Sequence, residues 1–210
     1  MPNVWVSKFY ISGVIDAVFL HTDLKRAGRN DEDMALFRQQ GGKTNVFPRD
    51  SIPRRLFCSN RRQDARTRFP HFFWTGGHYV VDSATYDVMS RFDLGSNMLC
   101  PIEIWKFDES GPIERQGFYL LLVNEIKSAI ISELSDCLHH IDPIGNKWSI
   151  KNFEGPGPVV SERALEGADI WRDSKMFREM FISDALYSAL AKNKLHTKLK
   201  GRKCVVKEDN

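Results

Sequence analysis

Val81-Asp82-Ser83-Ala84-Thr85-Tyr86-Asp87-Val88-Met89 returns, 101 positions later, as Ile182-Ser183-Asp184-Ala185-Leu186-Tyr187-Ser188-Ala189-Leu190. Ala84 and Tyr86 recur in register as Ala185 and Tyr187, and apolar residues recur at the first, eighth and ninth places. Each copy leads out of an apolar run into a helix-capping residue, Asp82 or Ser83 in the first and Ser183 or Asp184 in the second. The spacing predicts a helix through Phe92, with Ala84, Val88 and Met89 on one face and Asp93-Leu94-Gly95 as its stop. A second helix is expected through about Ala191. Two identities in nine positions do not establish a duplication. What repeats is a piece of scaffold, and it brings no catalytic group.

Outward from the first copy, Phe72-Phe73-Trp74, Thr75-Gly76-Gly77 and Tyr79-Val80-Val81 read as strand, tight turn and strand. Cys100 to Phe107 alternates through Ile102 and Ile104, with Phe107 continuing the pattern, as a half-buried strand does. Asp108 to Pro112 is a turn, and Phe118 to Val123 is an apolar run suited to a central strand. Trp148 to Phe153 is a further strand, Gly155-Pro156-Gly157-Pro158 forces a connection, and Met180-Phe181-Ile182 feeds the second helix. Cys204-Val205-Val206 closes the pattern as a strand. Towards the N-terminus, Val4-Trp5-Val6 and Phe9-Tyr10-Ile11 read as an opening strand or strand pair. Asn30 to Gln40 reads as a short helix, and Lys43 to Pro70, with little periodicity, as loop-rich. No linker divides the chain. The expectation is one α+β domain over residues 1–210, with a mixed or antiparallel sheet and two similar strand-helix-strand units.

The 210 residues, 42% hydrophobic and 27% charged, are those of an ordinary globular chain with room for one full core. The formal charge of +3 hides an uneven distribution. Between Arg49 and Arg68 seven arginines face two acids, Asp50 and Asp64, and between Lys192 and Lys207 seven basic residues face none. Cys58, Cys100, Cys137 and Cys204 are widely spaced with no CxxC, which points to reduced thiols in the cytoplasm. The apolar stretch from Val4 to Leu20 is broken by Lys8 and Asp16 and has no basic n-region, so it does not read as a signal peptide. No apolar run reaches the roughly eighteen residues of a membrane helix.

Motifs for chemistry are sparse. Gly41-Gly42-Lys43-Thr44 ends like a P-loop, but Phe37 stands where the first glycine belongs, and the backbone could not wrap a phosphate. The prolines of Gly155-Pro156-Gly157-Pro158 remove amide donors that an anion needs. Cys137, His139, His140 and Asp142 gather four potential metal ligands, yet zinc favours ligands from separated positions, and neighbours on a strand point to opposite faces. Cys58 and Cys100 have no neighbouring histidine to act as base and read as buried thiols. His71 and His78 flank the aromatic hairpin and suit hydrogen-bonded or surface roles. Glu162 and Glu166 fall at surface-helix spacing. No residue pattern makes a case for an enzyme, a cofactor or a metal.

Three readings remain for the arginines at 54, 55, 61, 62, 66 and 68. They suit a nucleic-acid patch with Phe69, Phe72, Phe73 and Trp74 as stacking platforms, a protein interface offering bidentate donors, or a solvated loop paired with the acidic body. The aromatics fit a core better, because they precede a capped helix at strand spacing.

Phe69-Pro70-His71-Phe72-Phe73-Trp74, Tyr79-Val80-Val81, Phe92-Asp93-Leu94-Gly95 and Cys100-Pro101-Ile102-Glu103-Ile104 together resemble one block of a bacterial immunity family. Ala168-Asp169-Ile170-Trp171-Arg172-Asp173, Phe181-Ile182-Ser183-Asp184-Ala185-Leu186 and Gly201-Arg202-Lys203-Cys204-Val205-Val206 resemble another. That family is associated with polymorphic toxins and was long classed as a domain of unknown function. The resemblance covers roughly residues 69–206 and leaves 1–68 less recognisable. It implies a cytoplasmic immunity protein that binds and neutralises a cognate toxin in the producing cell, with no catalytic residues to carry over. Arg61, Arg62, Arg66 and Arg68, outside the matching blocks, are the expected partner contacts. The alternative is a nucleic-acid-binding module using the Arg49–Arg68 and Lys192–Lys207 stretches.

Overall fold

The repeated phrase folds twice into the same local structure, because each copy carries the same two instructions. A polar residue ends a strand and caps a helix, and a tyrosine one turn later lies down on the sheet. Asp82 accepts from the Thr85 N–H at 2.9 Å, and Ser183 accepts from the Leu186 N–H at 3.2 Å. Tyr86 stacks on Tyr119 at 4.0 Å between ring centroids, and Tyr187 stacks on Trp5 at 4.1 Å, both with 13° between ring planes.

The computed structural model describes residues 3–7, 20–22, 52–64, 69–75, 78–113, 117–142, 146–151, 155–177 and 179–208. Its first half runs β1 (Val4–Ser7), β2 (Leu20–Thr22), β3 (Arg55–Cys58), α1 (Arg61–Asp64), β4 (Phe72–Thr75), β5 (His78–Asp82), α2 (Ser83–Met89) and β6 (Met98–Trp105). The second half opens with β7 (Phe118–Leu122), β8 (Ile126–Lys127), β9 (Leu138–Asp142), β10 (Lys147–Ile150) and β11 (Val159–Ser161). It continues with β12 (Ile170–Asp173), β13 (Met180–Ser183), α3 (Asp184–Lys192), β14 (Gly201–Lys203) and β15 (Val205–Lys207). One sheet has the order β2-β3-β6-β7-β5-β4 and another β14-β1-β13-β12-β8, with β11–β15 and β9–β10 as separate pairs. The architecture is α+β with mixed sheets.

Strand pairing extends the repeat well beyond nine residues. In the first sheet Val81 pairs with Tyr119 on one side and Phe72 on the other; in the second Ile182 pairs with Trp5 and Ile170. Pro101 opposite Tyr119 matches Lys203 opposite Trp5. Glu103, Ile104 and Trp105 run parallel to Arg55, Leu56 and Phe57, as Val205, Val206 and Lys207 run parallel to Val159, Val160 and Ser161. Loop hydrogen bonds repeat too. Asp82 N donates to His71 O as Ser183 N does to Asp169 O, and Ser83 N donates to Gly117 O as Asp184 N does to Asn3 O. Thus β6 corresponds to β14 and β15 together, β3 to β11, the β4–β5 hairpin to β12–β13, and β7 to β1.

That last correspondence crosses the halves. β7 opens the second half but lies between β5 and β6 of the first, while β1 opens the first half but lies between β13 and β14 of the second. The chain is two copies of one unit that have exchanged their first strands, the arrangement of a swapped dimer held in a single polypeptide. The helices pack against each other. Met89, Leu186 and Leu190 share a core with Val80, Val81, Ile170, Met180 and Ile182. On the far face of the second sheet Val6, Trp171 and Phe181 form another core with Val160, Leu138 and Ile150.

Several sequence expectations change. Helix α2 ends at Met89, and its buried face is Thr85 and Met89. Ala84 and its counterpart Ala185 are both exposed. The strand after it stops at Trp105 and leaves Phe107 40% exposed. The stretch read as loop-rich contains β3, whose Leu56, Phe57 and Cys58 are buried, and helix α1. Strand β10 ends at Ile150, short of Phe153. The expected elements at Phe9-Tyr10-Ile11 and at Asn30 to Gln40 lie outside the described residues.

Gly201 shows how tightly the tyrosine stack is held. A Cβ there would run into Cε2, Cζ and the hydroxyl of Tyr187, whose ring is stacked on Trp5. Gly201→Ala is therefore expected to lower stability by about 1–3 kcal/mol through overpacking. Urea unfolding of G201A, Y187A and the double variant checks this. The two losses should be strongly non-additive, because removing the ring removes the clash.

Candidate partner-binding surfaces

Asp93 and Asp169 meet at the junction of the two halves. Asp169 N donates to Asp93 O at 2.7 Å, and Asp93 N donates to the Asp169 carboxylate at 2.9 Å. The other Asp169 oxygen accepts from the Ser183 hydroxyl. Asn97, 7% exposed, donates to Ile170 O and accepts from the Asn124 and Glu125 N–H groups. Gly95 adopts φ +55°, and a Cβ there would run into the Glu125 carboxylate. Lys127 closes the junction by donating to the carbonyls of Ala164, Glu166 and Ala168 with its ammonium 3.7 Å from the Trp171 ring centroid. Burial pulls this lysine below its ordinary pKa, opposed by Asp169, Glu125, Asp93 and Glu166. These polar groups satisfy one another and the backbone, so the cluster joins the halves.

Two exposed surfaces carry the basic stretches of the sequence. The first is built by β3, α1 and β6. Arg55 points outward from β3 and lies 4.4 Å from the Trp105 ring centroid, with its Nε 3.7 Å from the Glu103 carboxylate. Trp105 Nε1 donates to that same carboxylate at 2.8 Å. Arg61 and Arg62 are exposed on α1, and Asp64 ties the helix to the next turn by accepting from the Phe107 N–H at 2.8 Å. Asp108 is held below the usual carboxylate range by hydrogen bonds from Ser110, with Lys106 and Arg61 nearby. Arginines 54, 55, 61 and 62 thus share their surface with Asp64, Glu103, Asp108 and Glu109. The side chains of Arg66 and Arg68 lie outside the described residues. Phe72 and Phe73 are buried, and Phe69 and Trp74 pack against the same core, so none is a free stacking platform.

The second surface is the Lys192–Lys207 stretch, carried by the end of α3, β14 and β15. Lys192, Lys194, Lys200, Lys203 and Lys207 are exposed, whereas Arg202 is buried and donates to Gly155 O. A shallow groove opens beside β15, lined by Asn3, Gly155, Pro156, Lys203, Val205 and Val206. Charge marked this segment in the sequence. The groove left no signal there, because Asn3 and Pro156 reach it only through the fold.

The other candidates resolve into structural roles. His71 Nδ1 is 2.7 Å from Asp82 Oδ2, so Asp82 holds the loop with one oxygen and caps α2 with the other. Strand β9, read as a loop or element end, carries His139 and His140 towards opposite faces. His140 packs on Trp148 and meets Asn146 Oδ1, while His139 Nδ1 is buried with no hydrogen-bond partner. Burial pushes the thiols of Cys137 and Cys204 above their ordinary pKa, opposite to what a nucleophile needs. Glu162 lies in a 3-10 turn and Glu166 just after it, both exposed. Among the described residues no helix is long and apolar enough to cross a membrane.

No protein-family model matches this chain, and no curated protein matches it either.

Proposed function

We propose that the protein is a cytoplasmic immunity protein that binds a cognate toxin and blocks it by occlusion. The resemblance in sequence motivates this reading, and the Arg61–Arg62 surface carries it. Two exposed guanidinium groups stand on a one-turn helix pinned by Asp64, beside an Arg55–Trp105 stack pinned by Glu103. Arginine and tryptophan are the residues that anchor protein interfaces, and holding them in place before binding lowers the entropic cost. Asp93, Gly95, Asp169 and Ile170 of the matching stretches are occupied in the junction, whereas Arg61 and Arg62 stand exposed.

The test is protection against the toxin domain encoded by a neighbouring gene, with binding measured by calorimetry. Reversing both charges in R61E/R62E should weaken binding about tenfold or more, mainly through slower association, with the melting temperature unchanged. Protection retained at wild-type strength would remove Arg61 and Arg62 as contacts. An absence of binding by the unmodified protein would remove the toxin reading itself. The rival reading, a nucleic-acid-binding module on both basic stretches, predicts oligonucleotide affinity that falls steeply with salt. The four acids interleaved with the arginines make that reading the weaker one.

A further inference from the structure

The two copies of the unit differ at one strand edge. In the first copy Glu103 N donates to Arg54 O across the β3 edge of β6. The opposite edge is covered by a segment of the same chain, where Trp105 pairs antiparallel with Pro112 and Ile113 N donates to Ile104 O at 2.7 Å. In the second copy Val205 N likewise donates to Pro158 O, towards β11. Backbone groups alternate along a strand, so the N–H and C=O of Val206 point the other way. Val206 and Lys207 are the counterparts of Ile104 and Trp105. Among the described residues β15 pairs with β11 alone, and no described segment takes the place that residues 111–113 hold beside β6.

We propose that this edge of β15 docks an extended acidic segment of the partner protein, which pairs antiparallel with Val206 and Lys207 as Pro112 and Ile113 pair with β6. The first copy supplies the geometry, since an extended segment already occupies the equivalent place. Main-chain hydrogen bonds to Val206 give such a complex its register. Charge supplies the rest. Lys203, Val205 and Lys207 alternate onto the exposed face of β14 and β15, and Val205 is 40% exposed between the two lysines. A guest strand meets a small apolar contact flanked by ammonium groups, which favours acidic side chains around an apolar one. The inference rests on the toxin-binding reading and adds to it a second contact and the conformation of the segment that makes it.

Hydrogen exchange on the full-length protein, with and without the purified toxin domain, reads this edge directly. Exchange at the Val206 amide should slow about tenfold or more in the complex. Val206→Pro removes that donor while sparing the ladder to β11, and should weaken binding at least about tenfold. Should V206P fold poorly, K203E/K207E changes only exposed side chains and should weaken binding comparably at low salt. Toxin binding with unchanged Val206 exchange and wild-type affinity in K203E/K207E would overturn the docking site and leave the toxin reading standing. Failure of the wild-type protein to bind the toxin overturns both. Salt-sensitive binding of a single-stranded oligonucleotide that K203E/K207E abolishes, with no toxin binding, would assign the lysines to nucleic acid instead.

Discussion

Val6→Pro is expected to unfold both halves of the protein together. Val6 is fully buried at the centre of β1, paired with Phe181 on one side and Arg202 on the other. Proline there removes a ladder hydrogen bond and places its ring against a neighbouring strand, at a cost of about 3 kcal/mol or more. The loss of packing around Val6, Trp171 and Phe181 adds to it. Domains have about 5–15 kcal/mol of stability in all, so a single change takes a large share. The damage also spreads, because β1 belongs by sequence to one half and by pairing to the other. Disordering the second sheet removes the support for α3, against which α2 of the first half packs. Urea unfolding followed by circular dichroism and by tryptophan fluorescence should give one shared transition at lower denaturant. Selective loss of the second sheet, with β4 to β6 retaining protected amides, would show that the halves are energetically separate.

Asp173→Ala is expected to cost about 3–5 kcal/mol, as the sum of two or three buried groups left unpaired. Asp173 is 3% exposed, and one of its oxygens accepts from the N–H groups of Ala129 and Ile130 at 2.7 and 2.9 Å. The other accepts from Lys175 N at 2.9 Å. The carboxylate is the anchor that holds residues 129–131 in place beside β11, where Ile130 bridges Val160. Asp173→Asn keeps the shape and one acceptor oxygen, and should cost less, about 1–2 kcal/mol. Thermal melts of the two variants distinguish lost hydrogen bonds from lost volume. Equal destabilisation by alanine and asparagine would assign the role to charge.

How far these features were readable in the sequence follows from what each depends on. The β4–β5 hairpin and both capped helices are local. Their strands, capping residues and apolar spacing lie within about a dozen neighbouring positions, and the structure has both strands and both caps there, with the first helix ending at Met89 rather than Phe92. Strands β3, β9, β11 and β12 leave no local signal because they are short and have no alternation; Val159, Val160 and Ser161 are all buried, as are Ile170, Trp171 and Asp173. What makes them strands is pairing with distant partners. The repeated phrase was visible, but the exchange of β1 and β7 was not, since no pattern within a strand names its neighbours. The exposed arginines at 61 and 62 followed from composition. The free edge of β15 could not, because an edge is defined by what lies beside it.

The reciprocal placing of β1 and β7 sets an order of events during synthesis. β7 emerges from the ribosome after β5 and β6, so the first sheet has its central strand as soon as that part of the chain is out. β1 is made before both of its partners, β13 and β14, which follow only after β2 to β12. Until then its edge N–H and C=O groups have no strand to meet, and the loop that finally closes around it holds β2 to β12. The second sheet therefore forms after the first, and a nascent chain stalled before β13 carries one finished sheet and one unpaired strand exposed to capture by other chains.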